Sequence, residues 1–132
     1  MRIYRELFKP SDKLDKPYSA FVMNVVAAET DEEAQYLFTT LQQNVIRMRR
    51  NTRGQLPPPI TDLNDFCEPH EKMMAAHTLQ VSAVGSLQTV KQTMRHWLDL
   101  TGADELIVTG QIFDHQARIK SFEIAAQAAQ SL

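Results

Sequence analysis

Seven consecutive residues, Thr109-Gly110-Gln111-Ile112-Phe113-Asp114-His115, bring together the groups most able to do chemistry in this chain. Their first two residues close a short apolar run, DELIVTG, that reads as a strand. Polar residues just past the carboxyl end of a strand line the active-site mouth in α/β barrels. Gln111 has the amide to bond a ligand amide or carbonyl. Asp114 and His115 have the composition of an acid–imidazole couple for proton transfer. Each also has a plainer role, Asp114 as the N-cap of the last helix and His115 as an exposed residue of its first turn. The pattern favours the plainer role and leaves the other open.

Three further places carry candidate chemistry. Asn24 is the only strongly polar residue inside the apolar run YSAFVMNVVAA. A buried amide must be bonded, so it faces either a ligand or a neighbouring strand. Gly85-Ser86 opens a helix, and such a step either caps the helix or holds an anion on free backbone N–H groups. The capping role is the commoner one. His70 and His77 share a helix face but sit ~10 Å apart on a straight helix, too far to share one zinc ion. No metal site is expected. Cys67, with no adjacent base, does not read as a catalytic thiolate. GxGxxG, Walker A, HExxH and GxSxG motifs are all missing.

The elements that must position these residues follow from periodicity. Residues 1–8 resemble the last turns of a helix, and a chain opening this way reads as the continuation of a longer one. Tyr18–Ala28 is nearly continuously apolar and Val-rich, the signature of a strand buried on both faces. Thr30 with Glu33 starts a helix whose stripe is Ala34, Leu37, Phe38, Leu41, Val45 and Met48. GQLPPPITDLN is a loop, and Pro69 opens a short helix. Leu79–Val84 is a short apolar stretch ended by Gly85. Ser86 begins a helix with Val90, Met94, Trp97 and Leu98 on its face and Gly102 at its end. A second strand leads to a last helix with Ile119, Phe122, Ala126 and Ala129 on its face. Two strands, each followed by a helix, imply an α/β protein with parallel strands.

Composition bounds the function. Lys and Arg number 14 and Asp and Glu 16, a net charge of −2, so nothing supports nucleic-acid binding. The basic surplus at Arg47, Arg49, Arg50 and Arg53 reads as a solvated helix end. A single cysteine excludes an internal disulfide framework, and a reducing cytoplasm is the simplest compartment. Neither a signal-peptide core nor an apolar run of membrane-spanning length is expected. The 132 residues fit one domain by length but fall short of a full barrel of ~200–250 residues.

The order of several short segments resembles bacterial luciferase-like monooxygenases. Tyr4-Arg5-Glu6-Leu7-Phe8-Lys9-Pro10-Ser11 is similar to the family's YRxxFxPS segment. Pro17-Tyr18, Val22-Met23-Asn24-Val25 and Ala27-Ala28-Glu29-Thr30-Asp31-Glu32-Glu33-Ala34 follow in the family's order. Leu56-Pro57-Pro58-Pro59 resembles its LPPP loop. Val84-Gly85-Ser86-Leu87-Gln88-Thr89-Val90 is similar to VGSPETV, with Leu87 in place of proline. Gly102-Ala103-Asp104-Glu105-Leu106-Ile107-Val108-Thr109 resembles GADELMVT, and Asp114-His115-Gln116-Ala117-Arg118-Ile119-Lys120-Ser121 resembles DHAARLRS.

The resemblance implies a flavin-dependent oxidoreductase that uses FMN and activates O₂ on reduced flavin supplied by a flavin reductase. It implies α/β architecture as the C-terminal fragment of a (β/α)8 TIM barrel, with two parallel strands and flanking helices. Residues 1–132 would supply about the last two strand–helix units, roughly 40% of such a chain. The family's main flavin-phosphate contacts and its catalytic histidine region lie upstream of the matched part. The fragment alone is therefore expected to bind no flavin. Catalytic residues stay unassigned, with Asp114 and His115 as candidates, and Asn24 and Gln111 are candidates for cofactor contact. The alternative is a non-catalytic, self-associating α/β module, because part of a barrel exposes strand edges and apolar faces. A homo-oligomer, commonly a dimer, is expected in either case.

Overall fold

The computed structural model describes all residues, 1–132. The chain runs α1 (Arg2–Leu7), β1 (Ala20–Ala27), α2 (Asp31–Arg49), a single 3₁₀ turn (Leu63–Asp65), α3 (Pro69–Thr78), β2 (Ser82–Gly85), α4 (Leu87–Thr101), β3 (Glu105–Thr109) and α5 (His115–Gln130). The α/β class with parallel strands and flanking helices is therefore as expected. The sheet has three strands, though, where the sequence suggested two. Its order is β2-β1-β3, and both pairings are parallel. The added strand, β2, comes from the apolar stretch before Gly85. Four residues are too few for a strand period to stand out from a buried turn.

β1 is central, so both of its edges are bonded and its apolar run is explained. Met23, Val25 and Ala27 face α4 and α5, where they pack with Ala83, Val90, Met94, Ile124, Ala125 and Ala128. The opposite face divides. Val26 and Ala28 lie under α2, against Ala34, Leu37, Phe38 and Leu41. Val22, nearer the start of the strand, stays 53% exposed. Helices thus cover one face along the strand and only the carboxyl half of the other. No helix is long and apolar enough to cross a membrane.

Helix boundaries follow local chemistry. Thr30 Oγ1 accepts from Glu33 N, and Asp114 Oδ1 accepts from Ala117 N, so α2 and α5 start where their cap residues stand. Gly102 ends α4 with φ 58°, the left-handed conformation that glycine adopts without strain. Arg5 donates to Thr101 O and to Gly102 O at the same helix end, where a cation offsets the dipole. That one side chain tethers α1, which buries no residue of its own.

Two expected faces differ. Met48 is exposed, and Ile46 is buried in its place against Leu63, Cys67 and Ala75. In α5 the expected stripe Ile119, Phe122, Ala126 and Ala129 is the exposed one, and Ser121, Ile124, Ala125 and Ala128 face the sheet. This helix is apolar around most of its circumference, so period alone offers two faces. The sheet takes the face with smaller side chains, which lets α5 approach β1 closely. Ser121 Oγ, fully buried, accepts from Ala27 N at 2.9 Å. It satisfies a strand-end N–H beyond the last β1–β3 pair, Asn24 with Thr109. Ser121→Ala should lower the unfolding free energy by about 1–3 kcal/mol in urea titrations, the cost of stranding a buried donor. An unchanged midpoint would show that Ala27 N–H has another partner.

Candidate functional site

The register of the sheet places three polar side chains in a row. Asn24 of β1 pairs with Ser82 of β2 on one side and with Thr109 of β3 on the other. Residues in register share a face, so Ser82, Asn24 and Thr109 lie side by side on the face away from α4 and α5. All three are half-buried. Asn24 Nδ2 donates to Ser82 Oγ at 3.3 Å and, at the limit of bonding, to Val81 O at 3.5 Å. Ser82 Oγ donates to Leu79 O at 2.7 Å. The row is rich in hydrogen-bonding groups and carries no charge. The next pair on the same face toward the strand starts is Val22 with Ile107, both about half exposed.

The other candidates sit just beyond this row and are not drawn into one constellation. Gln111 Oε1 accepts from Asn44 Nδ2 of α2 at 3.2 Å, which ties the turn after β3 to the helix after β1. Asp114 caps α5 through Ala117 N. His115 is exposed, and its Nδ1 faces Arg118 Nη2 at 2.9 Å. A guanidinium only donates, so that nitrogen accepts and the ring gains no carboxylate partner there. Asp114 thus caps α5, and no hydrogen bond joins it to His115.

The Gly85-Ser86 step holds an anion, and the anion is this chain's own. Asp31 Oδ1, from the first turn of α2, accepts from Ser86 N at 2.6 Å and from Thr89 Oγ1 at 2.8 Å. These bonds, the one from Ser86 N foremost, hold the Asp31 carboxyl below the usual carboxylate range. Gly85 makes the approach possible. Its φ is 152°, and a Cβ there would lie 2.6 Å from Asp31 Oδ1 and 2.7 Å from Thr89. No sequence motif marks Asp31 for this role, because it also reads as an ordinary first-turn acid.

A second set of bonds fixes the proline loop. Thr40 Oγ1 donates to Pro57 O and Gln43 Nε2 to Pro58 O, each at 2.9 Å, and Ile60 N donates to Thr39 Oγ1 at 2.9 Å. Proline has a carbonyl and no N–H, so acceptor groups are what this loop offers. Farther along α2, Arg50 binds Glu71 through two bonds of 2.7 and 2.6 Å and lies over the Phe66 ring. Arg47 also reaches the loop, at Gln55 O. Two arginines of the basic helix end are thus loop anchors. A groove of about 450 Å³ lies beside this loop, between Tyr36, Ile60, Asp62 and Phe66, and none of the candidate residues lines it. Cys67 is buried, donates to Leu63 O, and has its thiol pushed up by burial.

No family model matches the chain. It is 42% identical over all 132 residues to a luciferase-like monooxygenase of Escherichia coli K12, covering 39% of that protein. The chain is thus similar, along its whole length, to part of a luciferase-like monooxygenase. It is also 38% identical over 126 residues to the uncharacterized protein YvbT of Bacillus subtilis, covering 38% of it. The crystal structure of apo-MsnO8 superposes with a TM-score of 0.85 at 29% identity, over 98% of this chain and 40% of that one. The chain spans about two fifths of the length of the curated relatives it matches. Its fold is that of the matching part of a luciferase-like TIM-barrel protein.

The family is generally flavin-dependent, and the residues present do not fit a flavin phosphate. A phosphate needs cations or a free helix N-terminus. The helices that follow the three strands are all closed by acids. α2 has Asp31, Glu32 and Glu33 in its first turn, α4 has the Asp31 carboxylate on Ser86 N, and α5 has Asp114 on Ala117 N.

Acid should loosen the loop clamp in a definite window. The Arg50 bonds and Glu68 N lower the Glu71 carboxyl to about 2. A depressed folded value means that the stability is present above the unfolded value, near 4.3, and lost as pH falls through the folded one. Melting temperature should therefore fall more steeply between about pH 4.5 and about 2 in the native chain than in Glu71→Gln. Parallel curves would contradict the clamp.

Proposed function

We propose that these residues serve in a flavin-dependent monooxygenase, in which reduced FMN and O₂ oxidise a small organic substrate. The observation that carries this reading is the 42% identity to a luciferase-like monooxygenase along the entire chain. In such enzymes the flavin carries the oxygen chemistry, and the protein binds, orients and excludes water. Within this reading β1–α2 and β3–α5 are the last two strand–helix units of the barrel, and β2, α3 and α4 belong to the connection between them. The adjacency of β1 and β3 supports that assignment.

The row Ser82–Asn24–Thr109 and the Val22–Ile107 pair would then face the barrel interior. A neutral ligand surface suits an uncharged organic group, with the Asn24 amide oxygen and the Thr109 hydroxyl free to bond it while Asn24 Nδ2 is held by Ser82. Gln111, held by Asn44, would shape the rim. The acid-closed helix starts favour a phosphate grip outside these 132 residues, with a flavin reductase supplying the reduced cofactor.

Two titrations test this. The 132-residue chain alone should show no saturable FMN binding into the tens of micromolar (about −6 kcal/mol). A chimera with residues 1–132 in place of the aligned part of the E. coli relative should bind FMN within about tenfold of that relative. Micromolar FMN binding by the isolated chain would contradict a phosphate grip outside it. A folded chimera that loses the relative's FMN binding would contradict the assignment to such an enzyme.

A further inference from the structure

The groove beside the proline loop is built from Tyr36 on α2 and from the loop between residues 59 and 66. Bonds already described hold these walls together. Ile60 N donates to Thr39 Oγ1, and the Pro57 and Pro58 carbonyls accept from Thr40 and Gln43. Ile60 and Phe66 pack on the core of Ile46, Leu63, Cys67 and Ala75. Asp62 Oδ1 accepts from Asn64 N at 2.8 Å and so starts the 3₁₀ turn. The groove is therefore preformed. Its volume of about 450 Å³ falls in the usual range for small-molecule sites, ~300–1,000 Å³.

Its lining combines apolar and acidic groups. Tyr36, Pro59, Ile60 and Phe66 supply rings and aliphatic surface, and Asp62 and Asp65 supply the only charges. Neither carboxylate takes part in an ion pair. Tyr36 is 43% exposed, so its ring is open to a ligand. An adjoining hollow shares Tyr36, Thr61 and Asp62 and adds the acids Asp31 and Glu32. Its one cation, Lys72, donates to Asn64 Oδ1 at 3.1 Å. Arg50 and Arg47 lie over the Phe66 ring at 5.2 and 5.9 Å, but neither lines the groove, and Arg50 is bound to Glu71. We propose that this groove binds a small organic cation, a primary amine on a short aromatic or aliphatic body. The ammonium meets the Asp62 and Asp65 carboxylates, and the body lies on Tyr36 and Ile60. Carboxylates and an aromatic face both attract a cation. An anion would meet two uncompensated carboxylates, and a neutral head would forgo both attractions. Asn24, Thr109 and Gln111 lie outside this groove, so the proposal does not rest on a flavin-dependent activity.

The probe is phenethylamine, titrated into the chain at neutral pH and low salt and followed by amide NMR. It should bind with a Kd of about 1 mM or tighter. The largest shifts should fall on the Tyr36, Thr61, Asp62 and Asp65 amides. Phenethyl alcohol and phenylacetate keep the body and replace the head by a neutral or an anionic one. Both should bind about tenfold more weakly or worse, and Asp65→Asn should weaken the amine by about the same factor. Added salt should weaken the amine and leave the alcohol unaffected. Asp99→Asn, at an exposed position on α4, should bind the amine as the native chain does. So should the chimera with the E. coli relative. Equal affinity for amine and alcohol would overturn the proposal, as would shifts confined to other residues or undiminished binding by Asp65→Asn. A chimera that binds FMN but not the amine would also overturn it, because the rest of the protein would then fill the groove.

Discussion

One carboxylate joins the two helical layers at the carboxyl end of this sheet. Asp31 begins α2, which covers one face of β1, and its Oδ1 accepts from Ser86 N and Thr89 Oγ1 at the start of α4, which covers the other. The bond spans the carboxyl ends of β1 and β2, where the chain would otherwise offer free helix N–H groups. Its geometry dictates glycine at position 85. It also settles what the helix start does: a site suited to a phosphate by position is filled from within. The neutral row Ser82–Asn24–Thr109 is thereby left as the uncharged polar surface at this end of the sheet.

α2 is shaped by a similar logic. Its apolar stripe packs on β1 and β2, and the neighbouring stripe of Thr39, Thr40, Gln43 and Asn44 receives backbone and side chains from two loops. Buried polar residues on a helix usually cost stability unless bonded. Here the Pro57-Pro58-Pro59 segment supplies acceptors in a fixed conformation, so the donors of α2 meet preformed partners. The loop is held close to the helix without secondary structure of its own.

Much of the fold was legible in the residues. The caps Thr30 and Asp114, the glycine end at Gly102 and the proline start of α3 each act through neighbours a few positions away, so local pattern was sufficient. What escaped depended on distant partners. β2 was too short to show a period. Ser121 looked like one polar residue on an alanine-rich helix, and only the unpaired Ala27 N–H gives it a purpose. Asn24 was recognisable as an amide needing a partner, but the partner, Ser82, lies on the strand that was missed. Asp31 was indistinguishable from Glu32 and Glu33, because its distinction lies in where α4 begins.

The most direct test of this account is a carbon-detected NMR titration of the Asp31 carboxyl, followed together with the Ser86 amide. Asp31 should titrate below the ordinary aspartate value of about 3.9, and the Ser86 amide signal should move with the same midpoint as its acceptor is protonated. An ordinary Asp31 midpoint with a Ser86 amide indifferent to it would contradict the account, and would leave the start of α4 open to an outside anion.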